Sequence, residues 1–512
     1  MISRITLRAG VCLTALTLAP AAWADVTAQQ VWTAWQEAVT GYATDVTLTS
    51  DPVVEDGDTV TVTNLVVSSA QDGDTLTLTI PELVFTGAGD GTVDVTGSDR
   101  VPVVIASADG GEIAMTLSET NGTLKVSGTP EALSYAMAAD QYALTMDSLT
   151  TPEGPVTGEM RLAANGVSAT TTTATGATVD GTLDLTATSV DLLLDITSPD
   201  ATPVMVSGKI DGIAATGTSS MPADLDTSDP SAMFGGDYVA DGTFSNGPSA
   251  YIIDVGGVSP VNGTVTTGPG TLSYGIGPDG LRYATEATDL VADLTSGDMP
   301  FPLRLTAASY GTSLTTPVGP TDAAVPFGLT LDLSELTVND EVWAMLDPAA
   351  SLPRDPATVQ LDISGMARLD ESMMDPAAMT PDAGTADATD LTAVPPMGPD
   401  AFPGEVESLT LNALTVDALG VSIDGTGDFT FDNADTTTFP GFPAPTGQIT
   451  LDLTGANGLI DTLIAMGLVP EDQAMMGRMM MGMFATSVGD DALQSVIEVR
   501  DGQVLANGQR IR

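Results

Sequence analysis

Asp56-Gly57-Asp58-Thr59-Val60-Thr61-Val62 returns sixteen residues later as Asp72-Gly73-Asp74-Thr75-Leu76-Thr77-Leu78. In each copy an Asp-Gly dipeptide opens a strict alternation. Val60 and Val62, like Leu76, Leu78 and Ile80, point to one side, and the threonines point to the other. A period of two with apolar residues on one side is the pattern of a strand buried on one face only. Asp-Gly supplies a tight turn. The two copies therefore predict neighbouring antiparallel strands.

Working outward, the same alternation recurs at Leu183-Asp184-Leu185, Leu192 to Ile196, Leu329 to Leu333, Leu361 to Ile363, Leu409 to Val416, Val421 to Phe431 and Ile449 to Leu453. The chain of 512 residues is punctuated by 53 glycines and 33 prolines. The expected fold is mainly β: an elongated antiparallel meander, curved or groove-like, with an N-terminal helix and two C-terminal helices. Three stretches break the alternation. Thr170 to Thr175 is a threonine run with no buried face. Met221 to Asp237 reads as a loop. Glu371 to Gly404, with six prolines, reads as a disordered insertion.

The N-terminal helix is announced by Thr27-x-x-Gln30, a capping box, with Val31, Trp35 and Val39 on one face, Trp32 beside them, and Gly41 at the end. Near the C-terminus, Asn457 is expected to cap a helix carrying Leu459, Ile460, Leu463 and Ile464. A second helix begins at Pro470, with Glu471 and Asp472 in its first turn. Strands over Ser495 to Arg500 and Gln503 to Ala506 and a turn at Asn507-Gly508 close the chain.

Before all of this, Met1 to Ala24 has the three parts of a secretory signal: Arg4 and Arg8, an apolar stretch from Ala9 to Ala22, and Ala22-Trp23-Ala24 ahead of Asp25. The expectation is cleavage after Ala24 and a periplasmic, or else extracellular, destination. No segment is apolar for long enough to be read as a transmembrane helix. The expected organisation is a signal at 1–24, the N-terminal helix and meander at 25–370, the insertion at 371–404, and at 405–512 the continuation of the β structure with a methionine-rich helical cap.

Charge excludes one large class of partners. Lysine and arginine total 14 against 68 aspartates and glutamates, a net charge of −54. Nucleic acid needs clustered cations that this chain lacks, and an anionic membrane surface would repel it. Yet 43% of residues are hydrophobic, so the acids read as the solvated face of a folded protein.

Catalysis has little to work with. There is no histidine, and the single cysteine, Cys12, lies in the signal. Histidine-based triads, thiolate nucleophiles and histidine zinc sites are thereby removed. Lys125 and Lys209 are the only lysines, and Ser207-x-Lys209 lacks the spacing of a Ser–Lys dyad. Paired carboxylates remain, but aromatic residues make up only 4% of the chain, a poor platform for sugars. The expectation is a non-enzymatic protein with no cofactor.

Two constellations remain. Asp56, Asp58, Asp72 and Asp74 in the two Asp-Gly-Asp turns, and Asp90 and Asp94 in the stretch Gly87 to Asp94, are the weak calcium candidates, although Asp and Gly also make ordinary turns without metal. Met475, Met476, Met479, Met480, Met483 and Phe484 follow helical spacing. Packing against the sheet is the first reading of that helix. An adaptable apolar surface for a lipid or partner is the second, and copper(I), which thioethers select, is the third.

Several segments resemble an exported bacterial family known as domain of unknown function 2125. They are Val31-Trp32-Thr33-Ala34-Trp35, Met299-Pro300-Phe301-Pro302-Leu303, Trp343-Ala344-Met345-Leu346-Asp347-Pro348, Leu352-Pro353-Arg354-Asp355-Pro356-Ala357-Thr358, Gly467-Leu468-Val469-Pro470-Glu471 and Ala506-Asn507-Gly508-Gln509-Arg510. The resemblance extends over nearly the whole chain after the signal and implies no known chemistry. More loosely the layout is similar to AsmA-like envelope proteins, which implies a β groove associated with lipids. The expected function is the binding or passing of a lipid or other apolar ligand on a β groove. The alternative is a structural or adhesive acidic envelope protein with weak calcium binding.

Overall fold

The computed structural model describes residues 25–41, 46–71, 73–225, 238–278, 280–370 and 404–512. The expected signal peptide, Asp72, most of the loop after Met221 and the insertion up to residue 403 lie outside the described residues. The described chain is mainly β, with 27 strands and four helices. We name the helices α1 (Ala28–Gly41), α2 (Asp340–Leu346), α3 (Ala456–Ala465) and α4 (Glu471–Phe484). The chain divides into two compact units. The first holds the described residues up to Leu272 together with Ala292–Pro302. The second holds Ser273–Val291 and the described residues from Leu303 onward.

In the first unit the hairpin expected from the repeated Asp-Gly motif is present. Thr59–Gln71 pairs antiparallel with Asp74–Gly87, from Thr59↔Thr86 to Gln71↔Asp74. Further along, Ala132–Thr151, Gly154–Thr175, Thr178–Thr197 and Pro203–Pro222 run 20, 22, 20 and 20 residues and pair in sequence order. Thr170 to Thr175 corrects the expectation of a break. It is the end of the 22-residue strand, hydrogen-bonded on both sides to Ala132–Ala136 and Val179–Asp184. Threonine is β-branched and fits a pleated, half-solvated surface without needing an apolar partner.

In these strands the apolar alternation changes phase near the middle. The apolar positions flanking the change are three apart instead of two: Val62 and Leu65, Leu83 and Ile80, Ala164 and Val167, Ala187 and Val190, Ile210 and Ile213. Asn64, Gly166 and Gly212 adopt left-handed backbone there, with φ of 50°, 56° and 57°. Pairing skips the same point, as between Asn165↔Gln141 and Val167↔Ala139. Both partners break at the same point and the register is kept, so the alternation resets in both and apolar side chains stay on one face along the whole strand. Asparagine tolerates that backbone through local hydrogen bonds. Asn64 donates from Nδ2 to Asp51 at 2.6 Å. At the other break the left-handed residue is Gly166, and the preceding Asn165 donates to Asp191 at 2.6 Å and Ser189 at 3.1 Å.

Helix α1 covers the start of this sheet. The capping box forms as read: Thr27 N–H donates to Gln30 Oε1 at 2.9 Å, and Gln30 N–H donates to Thr27 Oγ1 at 3.3 Å. Val31 and Trp32 are buried against Val60, Val62, Leu65, Phe85, Val93 and Val126. Trp32 stacks on Trp35, with ring centroids 5.5 Å apart, and meets Phe85 at 5.7 Å. Trp32, not Trp35, is the deeper of the two.

In the second unit, Leu303–Thr316, Val325–Val338, Ala357–Leu369, Gly404–Ala418, Val421–Asp432, Ala444–Thr454 and Ala492–Arg500 pair in that order. Ala357–Leu369 and Gly404–Ala418 are direct antiparallel neighbours, Leu361 opposite Leu414. The insertion therefore connects two adjacent strands of one sheet. Glu335, at φ 53°, marks a bulge, where pairing with Ala357–Leu369 shifts by one residue.

Helix α2 was not anticipated. Its Trp343 carries the Arg354 guanidinium 5.7 Å from the ring centroid, and Arg354 pairs with Asp340 at 3.1 Å. Asp347, fully buried, accepts the Leu352 N–H at 2.7 Å. The residues from Trp343 to Arg354 thus close on themselves as one capped loop. The cap of α3 also differs from expectation. Gly455 is the N-cap and Asn457 lies inside the helix. A distant carboxylate does the capping, as Asp491 accepts the N–H groups of Asn457 at 2.9 Å and Gly458 at 2.8 Å.

Candidate functional site: an apolar sheet face and a methionine helix

Because opposed residues project from the same face of a sheet, the register identifies what each face carries. In the first unit one lateral row runs Val101, Leu117, Leu144, Leu162, Leu192, Gly208, Tyr251, each opposite the next. A second runs Leu48, Val67, Leu78, Val103, Met115, Met146. The rows lie beside each other, two residues apart along every strand. The ring of Tyr251 lies over Gly208, where a Cβ would overlap it. Away from α1 most of these side chains are not sealed, Met115 being the buried exception. Leu78, Leu117, Leu144 and Leu192 are half-buried, and Leu162 is 44% exposed.

The second unit repeats the arrangement. Leu314, Leu329, Ile363, Leu411, Gly427, Ile449 and Ile497 form one row. Tyr310, Leu333, Val359, Val416, Ile423, Leu453 and Leu493 form another on the same face. Between them, Gly425 leaves a gap that Leu414 and Leu451 border. Leu314, Leu331 and Val359 remain 39%, 43% and 39% exposed. Apolar surface of this extent on sheet faces marks a place where something apolar is accommodated.

The opposite face is polar. In the first unit Arg161 donates to Gln141 at 2.7 Å, Gln141 to Asn165 at 2.7 Å, and Asn165 to Asp191. Lys209 pairs with Asp211. In the second unit Asp332 accepts from Ser309 at 2.6 Å and Gln360 at 2.8 Å. Burial pushes the Asp332 carboxyl upward, but these donors outweigh it and hold the group below the usual carboxylate range. Among the described residues one carboxyl is pushed the other way. Glu119 is raised by burial and by the neighbouring Asp99, against a hydrogen bond from Tyr142.

The acidic turn residues are scattered and engaged. Asp90 accepts Thr92 N–H at 3.1 Å and Thr92 Oγ1 at 2.6 Å. Asp94 pairs with Lys125 at 2.7 Å. Asp74 accepts Ala108 N–H at 2.9 Å, and Asp58 lies 3.4 Å from Ala28 N. Asp56 is exposed at the end of its strand. Among the described residues no group of three or more Asp, Glu, His or Cys side chains is arranged to hold a metal ion.

The methionine helix does not pack as first read. Ala474 is its one buried residue. Met475, Met476, Met479, Met480 and Met483 are 72%, 60%, 63%, 53% and 58% exposed, and Phe484 is 37% exposed. The helix is held from its other side. Arg478 donates to Asp461 at 2.6 Å and to the Asn457 carbonyl at 3.1 Å. Ser495 and Asn507 donate to the carbonyl of Phe484 at 2.7 and 2.9 Å. Periodicity showed that the methionines share a face. The residue that chooses which face is buried is the small Ala474, and its signal is weak in a sequence.

The capped loop from Trp343 to Arg354, the ending from Ala506 and the helix after Pro470 all lie within a stretch that matches one family model. Residues 260–511 match the family of uncharacterized proteins conserved in bacteria designated DUF2125. The DUF2125 match spans the second unit and the end of the first, while the helix carrying Trp32 and Trp35 falls outside it. No curated protein and no solved structure matches the chain. Among the described residues no helix is long and apolar enough to cross a membrane.

Proposed function

We propose that this protein is a non-catalytic component of the cell envelope, exported by the signal at Met1 to Ala24, that holds an apolar ligand such as a lipid against its sheet face. One observation carries the reading: apolar residues are aligned laterally across successive strands on one face, and members of the rows stay open to solvent in each unit. The alignment is maintained at some cost. Three strands of the first unit spend a left-handed residue, Asn64, Gly166 and Gly212, where the apolar phase changes to keep the side chains on that face. Burial of such surface against acyl chains gains about 25 cal/mol per Å², whereas leaving it in water gains nothing. The polar face carries the acids and keeps the protein in solution.

The test is purification of the protein after export to a bacterial periplasm, followed by native mass spectrometry and lipid extraction. The expected result is copurification of an apolar molecule in fixed stoichiometry, reduced at least tenfold in Leu162→Gln or Leu331→Gln. A ligand-free mass that persists after incubation with added phospholipid and fatty acid would overturn the proposal.

A further inference from the structure

We infer that the exposed face of α4 is a binding site for a soft monovalent cation, copper(I) in particular, made of methionine thioethers alone. At about 100° per residue, Met475, Met476, Met479, Met480 and Met483 fall within an arc of about 140°, opposite the buried Ala474. Met476, Met479, Met480 and Met483 stand at i, i+3, i+4 and i+7, so each has two of the others as helical neighbours, with Cβ atoms about 5–6 Å apart. The flexible thioether arms reach across that spacing. Three of them converging on one ion satisfy the low coordination number of copper(I), and thioether sulfur is the donor class that selects it.

Burial does not account for these five side chains, which are all more than half exposed, while Met481, the sixth methionine of the helix, lies off this arc and is half-buried. Helix propensity does not account for them either, since leucine, glutamate or lysine would serve an exposed helix as well. What methionine alone contributes on such a surface is sulfur. After the signal no histidine or cysteine competes, since the chain has no histidine and Cys12 is its only cysteine. Asp472 lies on the same arc and is exposed, and the net charge of −54 draws cations toward the molecule. Arg478, the only cation of the helix, is turned away to Asp461 and α3.

The test uses silver(I) as the redox-inert probe and copper(I) in anaerobic competition against a chromophoric chelator. The proteins are the full exported chain and its Met476→Leu, Met479→Leu, Met480→Leu, Met483→Leu variant. Leucine keeps the helix and its apolar surface and removes only the sulfur. Native mass spectrometry is expected to show one ion bound to the parent, with copper(I) affinity at least tenfold weaker in the variant and an unchanged thermal midpoint without metal. Absence of stoichiometric silver in the parent would overturn the inference. So would equal binding by parent and variant, which would put the metal elsewhere. A variant that fails to fold is replaced by the pair Met476→Leu, Met480→Leu, read by the same criterion.

Discussion

Asp491 caps α3 from 33 and 34 residues away in sequence, through the amides of Gly458 and Asn457. Burial alone would raise its carboxyl. Those two amides, the Asn457 side chain and the nearby Arg478 hold it below the usual range. Replacing Asp491 by Ala removes a cap and is expected to cost about 1 kcal/mol, within a range of 0.5–2, measured by urea unfolding at pH 7. The pH dependence has a definite sign. A carboxyl whose folded pKa is depressed contributes stability above its unfolded value, about 3.9, and loses it as pH falls through the folded value. The gap between wild type and Asp491→Asn should therefore begin to close as pH falls below the unfolded value of about 3.9. A gap that does not narrow at any pH below about 3.9 would mean that the cap does not act through the carboxylate. Gly208 is the second informative residue. A methyl group there overlaps the ring of Tyr251, so Gly208→Ala should cost about 1–3 kcal/mol. Adding Tyr251→Ala should recover part of that loss, because neighbours sharing a contact are not additive.

Among the elements, α1 has the firmest claim on stability. Trp32 is 3% exposed and touches both Trp35 and Phe85. Trp32→Ala should cost about 3–5 kcal/mol and shift the urea midpoint, while a surface change such as Gln29→Ala should not. This helix was legible because capping box and apolar stripe agree from Thr27 to Val39. The hairpin at Thr59–Gln71 and Asp74–Gly87 was legible for a similar reason, turn residue and alternation coinciding. The length of the central strands was not. Leu183-Leu185-Ala187 and Val190-Leu192-Leu194-Ile196 have opposite phase, so they read as two strands with a break, whereas Thr178–Thr197 is one strand with a phase change at Thr188-Ser189. A period-two reading takes a phase change for an ending, and only the partner strand reveals that pairing resumes. The lateral rows were hidden for the same reason, since they are set by register between residues distant in sequence. The methionine face was legible as a stripe, but its exposure was not, because periodicity fixes which residues share a side and leaves open which side meets the sheet.

For the whole molecule the governing quantity is charge. At pH 7 the net charge of −54 makes the folded chain repel itself, and salt screens this over about 10 Å at 0.1 M. Raising sodium chloride from 20 to ~500 mM at pH 7 should therefore raise Tm, the reverse of what a fold held by surface ion pairs would show. Acid acts in two stages. From pH 7 toward pH 5, ordinary carboxyls begin to take up protons and the repulsion falls. Glu119, raised by burial and by Asp99, is among the first to do so. Asp90, Asp109 and Asp200 are held low, mainly by a Thr or Ser hydroxyl and the amide two residues on. They keep their turns until the pH passes below the unfolded carboxylate range, about 3.9. Relief of repulsion thus comes first and loss of the turn carboxylates second. Tm measured in dilute solution should rise from pH 7 to a maximum between about 4 and 5.5 and then fall steeply. A Tm that declines steadily from pH 7 to pH 5 would mean that the carboxylates stabilise the fold by more than their mutual repulsion costs, and the acidic face would then be a structural network in its own right.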